Sequence, residues 1–147
     1  MPLSGRFAMA VHALVLLAQS ADGYASEYIA GSVNTHAVFL RRVLRRLAEA
    51  GIIEAREGRG GGYRLARPAR AITLAEVYRV VEPEGPLSAS PAEPNHRCPV
   101  GAGMRVAFGA TMSAAREAVE TALSKQTVED LARTALRRGR APGATQT

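Results

Sequence analysis

The sequence predicts a mainly α chain carrying one small β-hairpin, arranged as a helical domain followed by a single long helix. Three observations predict it. Apolar residues recur at helical spacing through most of the chain. One glycine-rich stretch, GRGGG at 58–62, separates two short runs of strand character. A proline-dense segment, with Pro83, Pro86, Pro91, Pro94 and Pro99, separates the helical domain from a long helical pattern.

Each element has its own signal. Ser4 opens a first helix in which Phe7, Val11, Leu14, Val15 and Ala18 repeat on one face, and Gly23 ends it. Ser26 is the expected cap of a short second helix, Glu27 to Ser32, with Ile29 inward. Asn34 and Thr35 are the expected caps of a third, about His36 to Ala50. Its apolar stripe is Phe39, Leu40, Val43, Leu47 and Ala50, and its other face carries Arg41, Arg42, Arg45 and Arg46. Gly51 stands where helices commonly end.

Residues 52–56 and 62–66 read as strands around the glycine turn. Thr73 with Glu76 has capping-box spacing and starts a fourth helix through Val77, Val80 and Val81. The long helix is expected over Pro99 to Ser124, and 26 residues at about 1.5 Å each reach roughly 39 Å. Thr127 with Asp130 is a second box, opening a helix to about Arg138. The expected organisation is a domain over 1–82, a linker over 83–98, a self-association segment over 99–140 and a tail over 141–147.

Composition narrows the function classes. Of 147 residues, 47% are hydrophobic, which supports a packed core and argues against global disorder. No apolar run approaches the ~20 residues of a membrane span, so no membrane partner is expected. The N-terminus lacks the pattern of a secretory signal, and a cytoplasmic location is expected. Residues 1–70 hold 10 Arg and 5 acidic residues, a net +5, whereas residues 71–147 are +1. The first half therefore has the charge of a polyanion binder. No paired carboxylates, nucleophile–base pair or metal-ligand cluster stands out, so no enzyme, no catalytic residue and no metal site are expected.

A short helix, a tight break, a basic helix and a hairpin make a winged helix-turn-helix. The third helix can enter the major groove of double-stranded DNA with its first turn at the base edges. Asn34, Thr35 and His36 offer hydrogen-bonding groups at that end, and Arg41, Arg42 and Arg45 match phosphates or guanine edges. Arg46 lies further round. Arg59 on the wing turn suits a narrow minor groove. Arg6, Ser26 and Tyr63 complete the candidate DNA-binding set, although Tyr63 reads better as packing than as base stacking. A nucleotide-phosphate loop at GRGGG is the rival reading; no Gly-Lys-Ser/Thr follows it, and it leads into a strand.

On these residues the chain resembles the Rrf-two family of bacterial winged helix-turn-helix transcriptional regulators, the family of IscR, NsrR and CymR. The resemblance rests on LSGRFAMAVHALVLLA, on IAGSVNTHAVFLRRVLRRLAEAGIIEAREGRGGGYRLARP and on ITLAEVYRVVE, and covers most of residues 3–140. It implies a sequence-specific DNA-binding regulator. The family default is a homodimeric repressor with crossed long helices on a pseudo-palindromic operator. On the long helix, Val100, Met104, Phe108, Thr111, Ala115 and Val119 are the expected dimer contacts. The alternative is a small-molecule-binding or protein-interaction module on the same scaffold, without operator binding.

The cluster-binding branch carries three cysteines before the long helix, and this chain has only Cys98. Two thiols per dimer are too few for the usual cysteine-rich ligation, so no iron–sulfur cofactor is expected. The resemblance is to the single-cysteine, cluster-free branch. Pro99 suits a first helical position, which makes Cys98 a helix cap with His96 and Arg97 beside it. Three readings stand: a thiol sensor of an oxidant or electrophile effector, a structural cap, or a metal site shared with His96.

Overall fold

The computed structural model describes residues 5–83 and 93–140. In chain order these form α1 (Gly5–Leu17), α2 (Ser26–Val33), α3 (Ala37–Glu49), β1 (Ile53–Arg56), β2 (Gly62–Leu65), a 3-10 turn (Ala69–Ala71), α4 (Leu74–Val81), α5 (Pro99–Ser124) and α6 (Val128–Gly139). The start of α1 at Ser4, most of the proline-rich segment and the tail lie outside the described residues.

The first helix is the centre of the domain. Ala10, Val11, Ala13, Leu14 and Leu17 are buried, and the helix packs on α2, α3, α4 and α6. From α3 come Leu40, Val43, Leu44 and Leu47; from α4 come Leu74, Val77 and Val81. Fully burying one such side chain is worth about 1.5–3 kcal/mol, so these positions dominate the stability of the domain. Leu44 replaces Ala50 in the expected stripe, because Ala50 lies beyond the last helical turn and is exposed.

The hairpin is antiparallel, with Ile53 opposite Leu65 and Arg56 opposite Gly62. It has a third edge that the sequence did not suggest. The Tyr24 N–H donates to the Tyr63 carbonyl at 3.0 Å, and the Tyr63 N–H returns to Tyr24 at 2.9 Å. This bridge ties the wing to the segment before α2. It requires Gly23, whose φ is +80° and where a β-carbon would sit 1.9 Å from the Tyr63 oxygen.

Three capping expectations need correction. Ser26 is the first residue of α2 rather than its cap, which is Ala25. Asn34 ends α2 and does not start α3: at φ 60°, ψ 53° it adopts the left-handed conformation that Asn tolerates. Its N–H and that of Thr35 both donate to the Ala30 carbonyl. Thr73 accepts from the Glu76 N–H at 3.2 Å as expected, but the Glu76 carboxylate pairs with Arg67 and does not close the box. At α6 the box is complete, with Thr127 and Asp130 each bonding the other's backbone N–H.

The segment 99–140 does not stand apart as one unit. Helix α5 has the expected bounds and no buried residue. Helix α6 instead returns to the domain core, with Val128 at 0% exposure and Ala132 buried. Two hydrogen bonds fix the return, Leu74 N–H to Gln126 O and Val128 N–H to Ile72 O, both 2.9 Å. A division at residue 82 therefore cuts through one hydrophobic core.

Candidate nucleic-acid interface

The two helices of the helix-turn-helix are joined by Asn34, Thr35 and His36. A left-handed residue lets the chain reverse within three positions. His36 caps α3 with extended backbone, and no side chain caps the free N–H groups of its first turn. That end is therefore open to a phosphate oxygen, which the helix dipole favours. The exposed His36 and the half-buried Thr35 stand beside it.

At about 100° per residue, the buried side of α3 is centred between Leu40, Val43, Leu44 and Leu47. The opposite side presents Val38, Arg42 and Arg45, with Arg41 on the flank nearer α2 and Arg46 on the other. The arginines are not equivalent. Arg41 donates to Glu27 at 2.6 Å and to the Ser26 hydroxyl at 3.3 Å. Its guanidinium and the Glu27 backbone N–H hold the Glu27 carboxyl below its ordinary range, the backbone being the larger cause. Arg45 pairs with Glu49 at 3.0 Å. Arg42 and Arg46 have no ion-pair partner among the described residues. Surface pairs are worth about 0–1 kcal/mol, so phosphates can recruit Arg41 and Arg45 at small cost.

Ser26 is buried, and its hydroxyl accepts from Arg41, so it faces the arginine and not the outer surface. Arg6 lies in the first turn of α1, 3.6 Å from the Glu82 carboxylate, on the Arg46 flank of α3. Tyr63 is half-buried against the core. Arg59 is exposed at the wing tip, in a turn closed by the Gly61 N–H on the Gly58 carbonyl at 2.9 Å. Gly58 and Gly60 both have positive φ, +91° and +72°, which residues with a β-carbon adopt at a cost.

Two features were missed from the sequence. Val38, which belongs neither to the expected apolar stripe nor to the expected DNA-binding set, is 63% exposed on the outward side of α3. Its signal was its phase, between Arg42 and Arg45 and opposite Leu40. Tyr24 and Tyr28 stack with ring centroids 4.6 Å apart, leaving Tyr28 58% exposed beside the helix-turn-helix; no spacing rule marks that pair.

At the far end, Cys98 caps α5 with Pro99 behind it. The thiol is exposed and makes no capping hydrogen bond of ordinary length. The backbone N–H groups of Gly101 and Val100 lie ahead of it and lower its pKa from the ordinary thiol value. His96 is 3.7 Å from Glu93, which also pairs with Arg105. Along α5, Val100, Met104, Phe108 and Thr111 are exposed, whereas Ala115 and Val119 are half-buried where the helix meets its own domain. Among the described residues no three His, Cys, Asp or Glu side chains gather as a metal site, and no helix is long and apolar enough to cross a membrane.

A family model described as Rrf2, iron-dependent transcriptional regulator, matches residues 3–134. The HTH-type protein YwnA of Bacillus subtilis is 36% identical over 129 residues, covering 88% of this chain and 96% of YwnA. The HTH-type transcriptional repressor NsrR of Streptomyces coelicolor is 31% identical over 126 residues, 84% of this chain and 82% of NsrR. The structure of CymR, the global cysteine regulator of B. subtilis, superposes with a TM-score of 0.64 at 25% identity, covering 91% of this chain and 98% of CymR.

Proposed function

The chain belongs to the Rrf2 family of transcriptional regulators, and we propose that it is a homodimeric repressor of a pseudo-palindromic DNA operator. The observation that carries this reading is the outward side of α3, where Val38 and the unpaired Arg42 sit beside an uncapped helix N-terminus, with Arg59 on the wing. Groups of this kind read base edges, contact thymine methyls and position phosphates. Arg41 and Arg45 add phosphate contacts, and Ser26 orients Arg41. In a two-fold dimer the exposed stripe of α5 is covered by its partner, and the two α3 helices meet successive major grooves. The protein is a regulator and not an enzyme.

The iron named for the family model does not fit these residues as a cysteine-ligated cluster. The chain has one thiol, and among the described residues no group of His, Cys, Asp or Glu side chains gathers with it, too few for the usual cysteine-rich ligation. Effector control therefore falls to another device. Cys98 is the second reading's residue: an exposed thiol with lowered pKa, at the joint between linker and dimer helix. A larger thiolate fraction raises its reactivity toward peroxide or electrophiles.

Gel-shift titration tests the main reading. A duplex from upstream of the regulated gene binds at least about tenfold tighter than random DNA, and affinity falls steeply with salt as phosphates release counterions. Equal affinity for both duplexes sinks operator recognition. For Cys98, the Cys98→Ser variant keeps operator binding and loses any response to peroxide; an unchanged response assigns the thiol to capping alone.

A further inference from the structure

Helices α1, α3 and α4 leave between them a cavity of about 230 Å³, lined by Arg6, Phe39, Arg42, Val43, Arg46 and Val81. We infer that this cavity binds a small organic monoanion with a compact apolar body, of the aryl or branched acyl carboxylate class, as an effector of DNA binding. The effector role rests on the operator reading above; the binding site does not.

Charge sets the ligand's sign. Three arginines line the cavity, and one of them, Arg6, lies 3.6 Å from the carboxylate of Glu82, which follows α4 and is 7% exposed. Arg42 and Arg46 have no carboxylate of their own among the described residues. Cations held together repel, and an anion among them relieves that repulsion. A planar carboxylate also matches the guanidinium fork in two parallel hydrogen bonds.

The walls set the ligand's body. Val43 and Val81 are buried and Phe39 is 37% exposed, and all three line the cavity. Inorganic phosphate would satisfy the arginines and leave this surface wet. A neutral apolar molecule would cover it and leave the cations unmatched. The volume lies below the roughly 300 Å³ of the smallest drug-sized pockets, which limits the body to one ring or a short branched chain.

The cavity also explains how such a ligand would be felt at DNA. Arg42 belongs both to the rim and to the outward side of α3. A carboxylate that holds Arg42 inward removes it from the operator, so ligand and DNA oppose each other, reciprocally.

Calorimetry on the full-length protein at constant ionic strength tests this, with benzoate, inorganic phosphate and benzyl alcohol as probes. Benzoate binds at least about tenfold tighter than either of the others, a difference of about 1.4 kcal/mol. Arg46→Gln abolishes that advantage. Phe39→Ala lowers benzoate affinity and leaves phosphate unchanged, a pattern that general destabilisation does not produce. Phosphate or benzyl alcohol binding as well as benzoate overturns the proposal, as does an unaffected Arg46→Gln protein. Saturating benzoate should weaken operator binding about fivefold to tenfold; no change removes the effector role. If benzoate binds while no operator preference exists, the DNA reading fails and the site stands. If the operator is recognised and benzoate does not bind, only the site fails.

Discussion

Helices α3 and α5 carry similar apolar residues and meet water in opposite ways. In α3, thirteen residues bury four large side chains and leave the arginines outside. In α5, twenty-six residues bury none, and Val100, Met104, Val106 and Phe108 are between 44% and 77% exposed. Helix α3 seats its Leu and Val43 side chains in the core of its own chain, whereas the first half of α5 leaves its large apolar side chains exposed among the described residues. Exposed apolar area forgoes about 25 cal/mol per Å², and the proposed dimer would bury the side that carries Val100, Met104 and Phe108. In the proposed dimer the two regions would divide the work of one regulator, α3 reading the DNA and α5 recruiting a copy.

The largest effect that tests this contrast is Leu44→Ala in α3. Urea unfolding should show a loss of about 2–5 kcal/mol, the cost of a large-to-small change in a closed core. Phe108→Glu in α5 should leave helical content by circular dichroism intact and convert the dimer to monomer in sedimentation, with at least about a hundredfold loss of association, some 2.7 kcal/mol. A dimer unaffected by that charge would break the comparison.

Within α3 the arginines sharpen it further. Arg42→Ala should cost about tenfold in operator affinity, and Arg45→Ala about threefold or less, because Arg45 already holds Glu49. Equal losses in quantitative gel shifts would show that the ion pairs dissolve on the DNA.

The attachment of α6 to the core gives a smaller effect. Thr127→Ala should cost about 1 kcal/mol of thermal stability, the usual value of a lost cap. Its partner Asp130 has a lowered carboxyl pKa, first because of the Thr127 backbone N–H and then because of its hydroxyl. A depressed folded value means that the contribution is present above the unfolded carboxyl's pKa and disappears as pH falls through the folded one. The stability gap between the native chain and Asp130→Asn should therefore close on acidification; a gap independent of pH would refute the linkage.

The smallest effect is at Val38. Val38→Ala should weaken operator binding about threefold, and replacing the contacted thymine by deoxyuridine, which deletes only the methyl group, should do the same in the native protein and nothing further in the variant.

What could be read in the sequence were features set by nearest neighbours. The wing turn follows from glycines at 58 and 60, where a β-carbon would be strained. Helix α5 has its expected ends because Pro99 pre-sets the backbone of a first turn and the helical pattern runs unbroken to Ser124. The α6 box follows from two side chains three residues apart. Each depends on contacts within about one turn of chain, and family membership rests on such local segments in a fixed order.

What only the tertiary structure decided were partners distant in sequence. Ser26 and Asn34 have good capping side chains, yet Ser26 serves Arg41 across fifteen positions, and Asn34 is claimed by the end of α2. Glu76 leaves its own helix cap for Arg67. Helix α6 belongs with α1 and not with α5, because Val128 and Ala132 complete a core whose other members lie more than forty residues earlier. The rim of Arg6, Arg42 and Arg46 exists only because three helices converge there. Local sterics and hydrogen bonding are written along the chain. Which charge meets which, and which apolar face remains uncovered, depends on how the helices close upon one another.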